Sequence, residues 1–153
     1  MDWYAYLLVY GDLYGTQGEH AEPPAANGQL GDIVLARHLY AYGEQDDYWA
    51  DPNCIGFARR GTWDKPDGLA CLMSNAEAGM IKMAVGEMHA GEVWTDVLGW
   101  NQKSVTIDQE GYGEFDCSGV SVSIYVNEKA DGRERFGKFD TDIYRGEDLK
   151  KEE

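Results

Sequence analysis

The stretch GYGEFDCSGVSVSIYV, residues 111–126, alternates in its second half between apolar and small polar side chains at a period of two. In its second half Val120, Val122, Ile124 and Val126 are expected on one face of a strand, and Ser121, Ser123 and Tyr125 on the other. The first half, Gly111 to Phe115, reads as another extended run. Cys117-Ser118-Gly119 between them is a tight-turn signal, so the pattern predicts a β-hairpin inside an all-β body.

Working toward the N-terminus, the runs SVTID (104–108), EVWTDV (92–97), GMIKMAV (79–85), GLACLMS (68–74) and NCIGFAR (53–59) are short and rich in β-branched or aromatic residues. Gly, Pro, Asn or Asp clusters separate them. With the hairpin they make about seven strands at the spacing of an antiparallel sandwich. Before them, Leu30, Ile33, Val34, Arg37, Leu39 and Tyr40 follow a helical spacing with Gly43 as the stop, which predicts a helix over about 29–42. The loop 11–28 carries Pro23-Pro24, and Trp3 to Tyr10 reads as a strand covered on both faces. Beyond Val126 the chain turns charged, and residues 131–153 are expected as a partly disordered extension. Phe136, Phe139, Ile143 and Tyr144 there are candidates for one more edge element.

The chain has 153 residues, 13 Lys plus Arg against 28 Asp plus Glu, and a net charge of −15. That balance repels phosphate backbones and anionic lipid, so neither nucleic acid nor a membrane surface is an expected partner. Cys54, Cys71 and Cys117 are odd in number and have no CxxC spacing. They read as buried reduced thiols, which favours a cytoplasmic location, and no basic leader marks a signal peptide. His20, His38 and His89 lack zinc-site spacing.

Three segments, in this order, resemble the C-terminal part of the α-amylases of glycoside hydrolase family 13, of the bacterial liquefying and fungal intracellular type. They are VYGDLYG (9–15), LARHLYAYGEQDDYWADPNCIGFARRG (35–61), and GEMHAGEVWTDVLGW (86–100) followed by VTIDQEGYGEFDCSGVSVSIYV (105–126). The resemblance implies a mainly β fold: an antiparallel Greek-key β-sandwich like the amylase domain C (residues 51–130). It is preceded by one strand and one α-helix left over from a (β/α)8 barrel (residues 1–50). The family's catalytic carboxylates belong to earlier barrel strands, and none of their motifs occurs here. A retaining glycosidase needs two carboxyls about 5 Å apart on a rigid scaffold. The resemblance therefore implies a non-catalytic domain of an α-glucan hydrolase.

Two further readings belong with it. One is an α-glucan-binding module using exposed aromatics, with Trp63, Trp100 and Trp94 as candidates and Tyr112 and Tyr125 extending the platform. The other is a weak glycoside hydrolase active only as an oligomer, drawing on Asp12, Asp46 and Asp47. No cofactor is required. The one ion that the resemblance implies is calcium, with Asp46, Asp47 and Asn75 as remnants of its ligands; otherwise that stretch is a solvated acidic turn. A strand and helix taken out of a barrel would expose apolar surface, so a homo-oligomer through Trp3–Tyr10 and the Leu30–Tyr42 helix is expected.

Overall fold

A computed structural model describes residues 30–138. The strand expected at Trp3–Tyr10, the loop 11–28, Asp12, His20 and the tail from 139 onward lie outside the described residues. Residues 35–136 form one compact unit. The first turn of the helix and residues 137–138 belong to a second. Within that second unit the buried Asp32 carboxylate accepts the Gly137 N–H at 3.0 and 3.1 Å.

Helix α1 (Leu30–Tyr40) has Asp32 in its first turn and Arg37 in its last, each charge complementing the helix dipole. Its C-terminal end is tied down twice. The Tyr40 hydroxyl donates to the Asp131 carbonyl at 2.8 Å, and its ring stacks on Phe136 at 6.0 Å between centroids.

The strands are β1 (Gln45–Asp51), β2 (Cys54–Arg59), β3 (Leu69–Ser74), β4 (Gly79–Ala84), β5 (Val93–Asp96), β6 (Ser104–Thr106), β7 (Tyr112–Cys117) and β8 (Ser121–Asn127). One sheet has the order β1-β2-β3-β8-β5-β6, and β4 pairs with β7 in a second; every pairing is antiparallel. The expected mainly β, two-sheet antiparallel architecture is what forms. Between the sheets lie Ala58, Leu72, Met83, Val85, Trp94, Ile107, Phe115 and Tyr125, all buried.

Residues 111–126 are two strands but not a hairpin. β7 pairs with β4, Tyr112 opposite Ala84 and Cys117 opposite Gly79, whereas β8 inserts between β3 and β5. The Ser118-Gly119-Val120 link therefore crosses from one sheet to the other, pinned by the Val120 N–H donating to Ala76 O at 3.1 Å. Val120 takes φ 49 and is 74% exposed, outside the strand face expected for it. β8 is buried on both faces, Val122, Ile124 and Val126 on one and Ser123 and Tyr125 on the other, because it is an interior strand.

The second correction concerns Gln45–Asp51. This segment, whose first residues Gln45–Asp47 are expected within a solvated acidic turn, is an edge strand paired with β2 from Gln45 opposite Arg59 to Asp51 opposite Cys54. Tyr48 faces inward, and its hydroxyl accepts the Ala84 N–H at 2.9 Å.

Candidate carbohydrate-binding surface

The Trp63 side chain is 93% exposed at the tip of the β2–β3 connection. Its turn is closed reciprocally: the Thr62 N–H donates to Lys65 O at 2.8 Å and the Lys65 N–H to Thr62 O at 3.2 Å. The Thr62 hydroxyl adds a 2.7 Å bond to Asp64. At the base of the loop Gly61 takes φ 83 and packs so closely on Gly43 that a Cβ on Gly43 would lie 2.0 Å from the Gly61 carbonyl oxygen. Lys65 Nζ lies 5.6 Å from the centre of the Tyr42 ring. A flat apolar face is thus presented to solvent on a fixed turn, which is the element a sugar ring stacks on.

Trp100 is 38% exposed in the β5–β6 connection, which the buried Asp96 carboxylate holds. Its Oδ1 accepts the N–H groups of Leu98 and Ile124, both at 3.0 Å. Its Oδ2 accepts those of Trp100 at 3.2 Å and Asn101 at 3.0 Å. Burial pushes this carboxyl above its ordinary value even though the backbone donors pull it down.

Trp63 and Trp100 do not form one platform. β2 enters its connection at the end of the sheet where Arg59 pairs with Leu69, while β5 leaves past Asp96 toward the opposite end, three strands away. Trp94, the third aromatic proposed from sequence, is fully buried in the core and offers no face to a ligand. The reason is its place on the inner face of β5. There its indole N–H donates to Glu92 Oε2 at 2.8 Å, and it meets the His89 ring edge-on at 5.1 Å. Tyr125 is buried as well, its hydroxyl donating to Asp116 O at 2.8 Å. Tyr112 is partly exposed and carries Lys82 Nζ at 5.2 Å over its ring.

Sequence reasoning missed two surface features. Trp49, 70% exposed on β1, stands on the outer face opposite Ile55. Its period-two place in QDDYWAD was the available signal. The second is a cleft of about 300 Å³ between β6 and the β4–β7 sheet, walled by Lys82, Lys103, Asp108, Tyr112 and Glu114. It is a tertiary product with no local signature.

The calcium remnants are not brought together. Asp46 and Asp47 are consecutive on β1 and so point to opposite faces, and Asp46 is held by Arg60 Nε at 2.9 Å. Asn75 pairs its N–H with Asn53 O, five residues along the sheet from the level of Asp46, a separation of about 16 Å by strand rise. These residues do not fit a shared cation, and no group of three or more potential metal ligands occurs among the described residues. His89 is a built-in core residue: Nδ1 lies 2.9 Å from Glu92 Oε2 and Nε2 lies 3.0 Å from Arg60 O. No helix among the described residues is long and apolar enough to cross a membrane.

No family model matches the sequence. The chain is 43% identical over 121 residues to an α-amylase of Bacillus licheniformis, covering 78% of this chain and 24% of that protein. It is 42% identical over 121 residues to a glucan 1,4-alpha-maltohexaosidase of Bacillus sp. (strain 707), covering 78% and 23%. With a cytoplasmic α-amylase of Escherichia coli (strain K12) the identity is 37% over 133 residues, covering 80% and 26%. The chain thus spans about a quarter of the length of the curated relatives it matches.

Proposed function

We propose that strands β1 to β8 of this chain, which is homologous to the C-terminal part of the α-amylases of glycoside hydrolase family 13, serve as the non-catalytic β-sandwich of an α-glucan hydrolase. The observation that carries this reading is how four carboxylates of the sandwich are used. Asp46 is tied to Arg60, Asp116 to Lys103 at 2.9 Å, Asp96 to four backbone amides, and Glu92 to Trp94 and His89. Carboxylates spent on structure in this way are not poised as an acid and a nucleophile facing each other across a sugar. A cytoplasmic location belongs to the same proposal, supported by the cytoplasmic relative. Incubated with soluble starch at high concentration, the purified chain is expected to release no reducing sugar above the blank. Release that survives further purification and disappears on carboxylate substitution would count against the proposal.

A second reading, α-glucan binding, is favoured by Trp63 on its locked turn. Native electrophoresis through a starch-containing gel is expected to retard the chain, and Trp63→Ala is expected to remove the retardation while leaving the melting temperature unchanged. Trp100→Ala separates a second site from the first. Equal mobility in gels with and without starch excludes this reading.

A further inference from the structure

Cys54 opens β2 in the larger sheet, and Cys117 closes β7 in the smaller one. Both side chains enter the core between the sheets, 2% and 1% exposed. Gly79 of β4 lies directly across the ladder from Cys117. A Cβ on Gly79 would fall 2.2 Å from Cys54 Sγ, 3.1 Å from Cys54 Cβ and 3.9 Å from Cys117 Sγ. The Cys54 sulfur therefore occupies the room that any other side chain at position 79 would take, beside its cross-strand neighbour. Facing sheets ordinarily stand about 10 Å apart, too far for a disulfide, whose Cα atoms are about 4.4–6.8 Å apart. Here the missing side chain at Gly79 leaves the Cys54 sulfur seated against β4, next to Cys117. Cys71 is registered with Phe57 and Ile124 and belongs to the opposite face of the larger sheet.

We propose that Cys54 and Cys117 are a redox-active pair that closes into a disulfide joining the two sheets when the chain meets a disulfide oxidant of the glutathione type. One protein thiol, deprotonated, attacks the oxidant and releases one glutathione thiolate, leaving a mixed disulfide. The second protein thiolate then displaces the remaining glutathione. Two S–H bonds are lost and one S–S bond is formed, and two electrons leave as two glutathione thiols. Burial raises both protein thiols, Cys117 to about 11, so the closed sandwich reacts slowly and exchange proceeds as it opens. In a reducing compartment the pair stays a dithiol, and the bond marks oxidative conditions. This holds whether or not the chain binds glucan.

Refolding the full chain from denaturant in a glutathione redox buffer lets the thiols react before burial. Alkylation of what remains, intact mass and peptide mapping then read the outcome. The expected product has one alkylated cysteine, Cys71, has lost two hydrogen atoms, and yields a peptide linking the segments of Cys54 and Cys117. Cys71→Ala is expected to give the same link, and dithiothreitol to remove it and lower the melting temperature by several degrees. Three alkylated cysteines, a link that prefers Cys71, or an oxidised form that melts no later than the reduced one would each overturn the proposal.

Discussion

At the scale of single residues, the group that organises the polar interior is Glu92. One oxygen, Oε2, accepts both the indole N–H of Trp94 and the contact to His89 Nδ1, while His89 Nε2 meets the Arg60 carbonyl. A carbonyl only accepts, so Nε2 carries the hydrogen of that bond and Nδ1 is the ring nitrogen turned to Glu92. Replacing the carboxylate with an apolar group leaves the buried indole N–H of Trp94 and the Nδ1 of His89 without a partner, each worth about 1–3 kcal/mol. Glu92→Leu is therefore expected to destabilise the sandwich by about 3 kcal/mol, read as a shift of the urea midpoint at constant slope. An unchanged midpoint would mean that water replaces the carboxylate.

At the scale of elements, the β5–β6 connection depends on one buried side chain. Asp96 gathers four N–H groups from two segments, its own loop and β8. In Asp96→Asn one oxygen still accepts, but the amide nitrogen faces donors. A loss of about 2 kcal/mol is expected, with a red shift of Trp emission as Trp100 is released. Denaturant curves followed by fluorescence and by circular dichroism check both. β1 illustrates an opposite economy. Its QDDYWAD sequence presents acidic side chains along an exposed edge, which discourages a second chain from pairing there.

At the scale of the whole molecule, the sandwich carries phenols that it cannot ionise and stay folded. Burial, with Asp67 adding to it, pushes Tyr40 from 10.0 to about 12, and burial, then Asp96, raises Tyr125 further. For an acid whose folded pKa exceeds its unfolded one, the native state holds the proton longer. Its stabilising contribution is complete below pH 10 and is lost as pH climbs through 12. Alkaline titration is expected to show the exposed tyrosines ionising first, and these two only with cooperative unfolding, tracked by phenolate absorbance against circular dichroism. Smooth ionisation of every tyrosine without unfolding would contradict the burial.

What the chain alone determined is local. Alternation at 79–84 and 121–127 and helical spacing at 30–40 mark their elements because each period follows from backbone geometry. The number and spacing of the strand-like runs gave the sandwich class, and the resemblance agreed with it. Tertiary structure decided partners and exposure. Whether residues 112–117 pair with 121–127 or with 79–84 depends on contacts between distant segments, to which alternation is blind. The acidic β1 forms only because β2 offers a ladder, and strand propensity counts against Asp. Trp63 and Trp94 are the same residue type, yet one crowns a turn and the other fills the core. Which of them can meet a sugar depends on how the sheets close, and so does the meeting of Cys54 with Cys117 across the missing side chain of Gly79.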